Sequence, residues 1–156
     1  MYTIVHTAAC TDIAKKFAEA LEGSQTFEIS KVLEDPESLG DFDCLGLIFD
    51  RQEKGVPSTV VSFINDVLDN NDLSDLQHMF SICVCKGSPA HALKIVEKLC
   101  AGVGCAPSLS ISLPPSADIS DAVTKIQNGD IELAKGSIGT MFYMKANGIK
   151  ARGKRR

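Results

Sequence analysis

The chain contains no tryptophan, two tyrosines and seven phenylalanines in 156 residues, so it has few large rings to stack on a planar ligand. No run approaches the ~20 apolar residues of a membrane span, and no basic-then-apolar signal opens the chain. Neither a Cys-x-x-Cys nor a His/Cys group with zinc spacing occurs. These absences predict a cytoplasmic protein without a metal site.

The six cysteines lie mostly inside apolar runs, where a free thiol behaves as a small hydrophobic side chain. Buried free thiols are therefore favoured over a redox or metal role. The six are Cys10, Cys44, Cys83, Cys85, Cys100 and Cys105.

Charge is unevenly distributed along a chain whose net charge is −4. Residues 145–156, KANGIKARGKRR, hold six of the 16 basic residues and no acidic ones, which leaves 10 basic against 20 acidic residues in the body. An acidic body argues against nucleic-acid binding through phosphates. The basic tail has two readings, a solvated flexible terminus, which we favour, or a contact with an anionic surface such as nucleic acid or a membrane.

Strand and helix patterns alternate along the chain. Because parallel strands need crossover helices, five strands alternating with helices predict a three-layer, doubly wound α/β domain with a five-stranded parallel sheet. We assign it to residues 1–136 and treat 137–156 as a C-terminal segment. The predicted strands are 2–6, 25–30, 43–50, 79–85 and 108–114.

Helix boundaries are predicted from proline, glycine and capping residues. A first helix runs from Asp12 to Leu21, and Pro57 opens a second. Ser88 is expected to cap a third helix with Pro89 at its first position. A last helix is expected from near Ala117 to Asn128.

In open α/β sheets, ligands bind beyond the carboxyl ends of the strands, here at loops 6–12, 50–57 and 85–90. At this point the sequence resembles the flavodoxin family, particularly the flavodoxin-like half of bacterial flavodoxin–ferredoxin fusion proteins. The resemblance covers about residues 1–115. It is carried by IAKKFAEAL (13–21), FDCLGLIFDRQEKGVPSTVVSFINDVL (42–68) and SICVCKGSPAHALKIVEKL (81–99).

The resemblance implies that the three loops hold flavin mononucleotide. In that family the first loop is glycine-rich and wraps the phosphate at a helix N-terminus. Here it is atypical, because it has no glycine and offers only hydroxyls and backbone N–H groups. The cofactor-binding residues implied are His6, Thr7, Ala8, Ala9, Cys10, Thr11, Asp50, Arg51, Gly55, Lys86, Gly87 and Ser88.

The second and third loops also depart from the family pattern. The family commonly stacks an aromatic residue on the flavin ring, before a Gly-x-Pro. Gly55 and Pro57 are kept, as is the turn at 87–89, but neither loop carries an aromatic residue. The sequence thus retains the features that indicate the fold, whereas the features that indicate flavin binding are mostly missing.

Three functions remain open. The resemblance implies one-electron transfer through flavin mononucleotide to a redox partner protein, with weak or lost flavin binding. The alternative is a flavin-free interaction or regulatory module on the same fold. A third class is a small enzyme using Cys10 or the charged loop 50–54, although a packed Cys10 and a solvated loop are favoured. No catalytic residue is assigned.

Single residues at the loops have functional and structural readings. His6 and His91 are candidates for contacting an anion, although solvation on the helix surface explains His91 equally well. Lys86 is a candidate for a phosphate or carboxylate contact and is equally well explained as an exposed side chain.

Overall fold

The computed structural model describes residues 2–53, 55–136 and 138–152. Its sheet has five parallel strands in the order β2-β1-β3-β4-β5. This confirms the predicted doubly wound, flavodoxin-like α/β fold. The strands are β1 Tyr2–His6, β2 Gln25–Glu28, β3 Cys44–Asp50, β4 His78–Val84 and β5 Leu109–Leu113.

Helices cover both faces of the sheet. Helices α1 and α5 pack on one face, and α2, α3, α4 and α6 pack on the other. The helices are α1 Thr11–Ala20, α2 Ile29–Glu34, α3 Ser58–Ser62, α4 Ala92–Gly102, α5 Ser120–Asn128 and α6 Ile138–Ala146. Helix α3 continues through a π-helical turn, Phe63–Val67, and a 3₁₀ turn, Leu68–Asn70.

The buried strand residues alternate between the two faces, as period-two geometry requires. In β3, Leu45, Leu47 and Phe49 join the core under α3 and α4, whereas Ile48 joins the core under α1. The near-continuous apolar runs of the central strands reflect burial on both sides.

Most predicted boundaries shift by at most one residue, and three differ by more. The strand predicted for 25–30 ends at Glu28, because Ile29 begins α2. Ser88 does not cap α4 and Pro89 is not its first residue, because α4 begins at Ala92 with His91 at the N-cap position. Between Pro89 and Ala92, Ala90 adopts a φ of 50°, a left-handed conformation that cannot continue a right-handed helix. The helix predicted from Ala117 begins at Ser120, and α6 follows it.

Gly46 lies at the centre of the sheet, where no side chain fits. It pairs with Ile4 on one side and Phe80 on the other. A Cβ built on Gly46 would lie 2.7 Å from Cε1 of Phe80 and closer still to Cζ. The fully buried Phe80 ring therefore covers the backbone of β3 at this position.

The chain after α5 returns to the free edge of β5. The Ser110 N–H donates to the Glu132 carbonyl at 2.7 Å, and the Glu132 N–H donates to the Ser108 carbonyl at 2.8 Å. The chain then leaves the edge at Ala134, whose N–H donates instead to Oε2 of the buried Glu97 at 2.5 Å.

The segment beyond the boundary placed at residue 136 packs on the domain as far as Arg152. On α6, Met144 enters the core beside α4, and Thr140 is fully buried. Further along, the Lys150 carbonyl accepts a hydrogen bond from Asn65 at 3.1 Å, and Arg152 contacts Asp66 at 3.2 Å. In the part of the chain that the structure describes, no helix is long and apolar enough to cross a bilayer.

Candidate functional site

The three candidate loops meet at the carboxyl edge of the sheet, around the ends of β1, β3 and β4. Strand order reverses here, because β2 lies on one side of β1 and β3 on the other. Such a switch point is where open α/β sheets bind ligands.

The first loop is tied to the second by a part-buried hydrogen bond. Thr7 is buried, and its Oγ1 donates to Oδ1 of Asp50 at 2.8 Å. The Thr7 N–H donates to the Ile48 carbonyl at 3.1 Å. Both donors that Thr7 was expected to offer a phosphate are therefore engaged within the protein.

The rest of the first loop closes on itself as a short 3₁₀ turn, Ala8–Cys10. The Cys10 N–H donates to the Thr7 carbonyl at 3.0 Å, and Thr11 Oγ1 donates to the Ala8 carbonyl at 2.8 Å. Ala8 and Ala9 are exposed and carry no polar side-chain atom. The Cys10 N–H and the Thr11 hydroxyl are thus engaged within the turn.

His6 supports the first loop from below. Its ring is buried, and Nδ1 lies 2.8 Å from the Thr7 carbonyl oxygen. Because a carbonyl oxygen only accepts, Nδ1 carries the proton in this hydrogen bond. His6 therefore holds the backbone of Thr7 in place through Nδ1.

The second and third loops are joined by Arg51. Its N–H donates to the Val84 carbonyl at 3.3 Å, and its guanidinium Nη1 donates to the Ser88 carbonyl at 2.9 Å. Beside it, Gln52 Nε2 donates to Oδ2 of Asp50 at 3.1 Å. Both oxygens of Asp50 thus accept hydrogen bonds from the chain itself.

The third loop is a turn set by backbone conformation. Gly87 has a φ of 79°, which favours glycine. Ser88 Oγ accepts a hydrogen bond from the Ala90 N–H at 3.0 Å, so the serine stabilises its own turn. Lys86 is exposed.

These contacts do not fit a flavin phosphate cradle. A phosphate dianion needs converging donors, whereas the Thr7 and Thr11 hydroxyls already donate within the protein. The carboxylate of Asp50 also stands at the loop that would hold the phosphate, where like charges repel. In the first loop, the hydroxyls of Thr7 and Thr11 and the N–H groups of Thr7 and Cys10 donate within the protein.

An aromatic residue that the sequence prediction missed lies against the second and third loops. A Cβ built on Gly55 would lie 2.7 Å from Cε2 of Tyr143, so the absence of a side chain at Gly55 admits the tyrosine ring. The Tyr143 ring also packs on His91, with centroids 5.3 Å apart and planes at 30°. His91 Nδ1 lies 2.9 Å from Oγ1 of Thr140.

Helix α6 therefore closes one side of the loop region. A groove of about 410 Å³ remains between the second loop and α6, lined by Gln52, Glu53, Val56, Tyr143 and Ile149 among others. The signal available in the sequence was the largely apolar run at 138–144, which the sequence prediction left unassigned.

The cysteines near the site are packed thiols. All six cysteines are free, and Cys10, at the start of α1, is buried. Burial raises the pKa of the Cys10 thiol, the Thr7 hydroxyl partly offsets this, and the negative charge of Asp50 raises the pKa further. Burial likewise raises the pKa of Cys83. Burial and the charge of Asp50 thus act against the lowering of the Cys10 pKa that a helix N-terminus favours.

Iodoacetamide is therefore expected to alkylate Cys10 in the native protein at least about tenfold more slowly than free cysteine near neutral pH, since the thiolate is the nucleophile. Mass spectrometry of timed digests measures the rate for each cysteine, and denatured protein gives the unprotected rate for the same residue. A native rate at Cys10 equal to or above that of free cysteine would instead support the enzyme hypothesis.

Metal ligation finds no support in the described ranges. Among residues 2–53, 55–136 and 138–152, no three His, Cys, Asp or Glu side chains are grouped so as to hold a metal ion. Lys54, one member of the charged second loop, lies outside the described residues.

Comparison with known proteins adds no assignment. No protein-family model matches the sequence, and no curated protein is significantly similar to it. The five-stranded parallel sheet of flavodoxin-like order is therefore established by the structure itself.

Proposed function

We propose that this chain is a flavodoxin-like domain that works as an interaction module without a resident flavin. The observation that carries the proposal is the hydrogen bond from Thr7 Oγ1 to Asp50 Oδ1, 2.8 Å long, at the position where the family binds the flavin phosphate. This hydrogen bond engages the Thr7 hydroxyl, and its acceptor, Asp50, places a negative charge at the loop.

Electrostatics indicate how strongly Asp50 opposes a phosphate. Two unit charges about 5 Å apart in an effective dielectric of about 20 repel by about 3 kcal/mol, and salt reduces this for exposed groups. With the Thr7 hydroxyl engaged as well, too little favourable energy remains for tight flavin binding. One-electron transfer through flavin mononucleotide is the competing function that the following experiment separates.

Asp50→Asn is expected to tighten flavin mononucleotide binding about tenfold or more, because the amide removes the repulsion and still accepts from Thr7. A tenfold change corresponds to about 1.4 kcal/mol. We expect the natural sequence to show no saturation below about 1 mM flavin. Quenching of flavin fluorescence during a titration measures both constants.

Asp75→Asn provides the matched control. Asp75 is exposed in the turn before β4, at the opposite edge of the sheet, so its replacement changes net charge equally without touching the loops. We expect it to leave flavin binding unchanged. Micromolar binding by the natural sequence, unaffected by either substitution, would reject the flavin-free function and favour the electron carrier.

A further inference from the structure

Helix α6 has apolar residues on two opposite faces, and among the residues that the structure describes only one of these faces is covered. Thr140, Tyr143 and Met144 face the domain, where Thr140 and Met144 are buried and Tyr143 packs on His91. A surface helix usually presents polar residues on its other side. Helix α6 does not.

The outer face carries an apolar stripe at helical spacing. Ile138, Met141, Phe142 and Lys145 are related as i, i+3, i+4 and i+7, so they form one surface. Ile138 is 72% exposed, Met141 60% and Phe142 68%. We call Ile138, Met141 and Phe142 the outer stripe. Apolar residues at this spacing normally face a protein core.

The outer stripe belongs to the most basic stretch of the sequence. From Lys135 to the end of the sequence there are seven basic residues and no acidic ones, whereas all 20 acidic residues precede Lys135. Of the seven, Lys145 lies at the end of α6 and Lys150 and Arg152 follow it. The exposed apolar side chains thus lie in the most basic part of the chain.

A groove beside α6 is likewise lined by both apolar and basic side chains. It has a volume of about 550 Å³ and runs between α6 and α4. Its apolar lining comes from Ala101, Met141, Met144 and Ile149, and three lysines line it as well, Lys98, Lys145 and Lys150. An apolar groove edged by ammonium groups is complementary to a molecule with an anionic head and an apolar tail.

We propose that α6 and this groove dock the domain onto an anionic phospholipid surface. The outer stripe enters the boundary between headgroups and acyl chains, and the lysines contact lipid phosphates. At 1.5 Å per residue, nine residues extend about 14 Å, so the helix lies along the surface. This inference goes beyond the proposed function and does not depend on whether flavin binds.

Co-sedimentation with lipid vesicles tests the docking surface directly. The protein is mixed with vesicles of phosphatidylcholine alone and with vesicles containing about 30% phosphatidylserine. We expect binding to the anionic vesicles only, weakening as the salt concentration rises. The double substitution Met141→Ser/Phe142→Ser is expected to reduce the partition coefficient at least about tenfold, because it removes the inserted apolar area.

Two control variants separate the outer stripe from general effects. Ile131→Ser/Leu133→Ser removes two equally exposed apolar side chains, 76% and 64% exposed, outside α6. Lys15→Glu/Lys16→Glu reverses two exposed charges on α1, which packs on the other face of the sheet. Neither variant is expected to change vesicle binding. Far-UV circular dichroism and thermal melting show whether each variant is folded.

Several results would overturn the inference. They are absence of binding to anionic vesicles at low salt, equal binding to neutral vesicles, or the same loss of binding in the Ile131→Ser/Leu133→Ser control. Sedimentation velocity tests the alternative that the outer stripe mediates self-association. If Met141→Ser/Phe142→Ser abolishes self-association of a protein that does not bind vesicles, the outer stripe contacts a second copy of this chain and the lipid assignment is wrong.

Discussion

Gly46→Val is expected to lower the free energy of unfolding by about 3 kcal/mol, at the upper end of the cost of overpacking a core. The reason is the position of Phe80, whose ring atom Cε1 lies 2.7 Å from where the new Cβ would be. Both residues are in central strands that cannot move apart without breaking the ladder. Thermal unfolding is expected to shift down by about 6–12 °C.

The sign of this result separates steric packing from strand propensity. Valine favours strands and glycine weakens them, so propensity alone predicts that Gly46→Val stabilises the protein. If the Phe80 ring is the cause, the double variant Gly46→Val/Phe80→Leu will cost at least about 1 kcal/mol less than the sum of the single changes. Additive costs would show that something other than the ring opposes a side chain at Gly46.

Glu97→Ala is expected to destabilise the protein by about 2 kcal/mol, the range for a hydrogen bond to a charged group. Glu97 is buried on α4, and its Oε2 accepts from the Ala134 N–H at 2.5 Å while Oε1 lies 3.3 Å from Nζ of Lys94. Alanine at this position leaves the Ala134 N–H and Nζ of Lys94 without their carboxylate acceptor. Chemical denaturation measures the loss, and faster trypsin cleavage at the exposed Lys135 reports local release.

Glu97→Gln is the control for this prediction. Glutamine keeps an acceptor oxygen for the Ala134 N–H and nearly the same volume, so we expect less than half of the loss seen with alanine. Equal losses in the two variants would mean that the negative charge facing Lys94, rather than the hydrogen bond to Ala134, holds the chain where it leaves the β5 edge.

The sheet and the main helices were predictable because their signals are local. Apolar runs such as 43–50 and the helical spacing of α1 report burial through the period of the chain itself. The glycine after α5 is an equally local signal, and Gly129 adopts the left-handed conformation that ends the helix, with a φ of 70°. The start of α4 was misplaced because Ala90 adopts a positive φ, which alanine rarely does and which no local residue preference indicates.

The candidate site was only partly predictable. The sequence and its resemblance placed Thr7, Asp50, Arg51 and Ser88 in loops that the structure brings to one edge. They could not show that the Thr7 hydroxyl donates to Asp50 rather than facing a ligand. Nor could they place Tyr143, which lies 88 positions after Gly55 in the sequence, against that glycine.

By itself, then, the sequence determined the five strands, the helices α1, α3, α4 and α5, much of the core and the acidic body followed by a basic segment, whereas α2 and α6 were not predicted. The predicted features follow from periodicity, burial and charge counted along one chain. Only the tertiary structure decided which donors the first loop has left and which face of α6 is exposed. Those depend on contacts between distant segments, and a helix that is apolar on two sides gives no local signal of which side its own domain will cover.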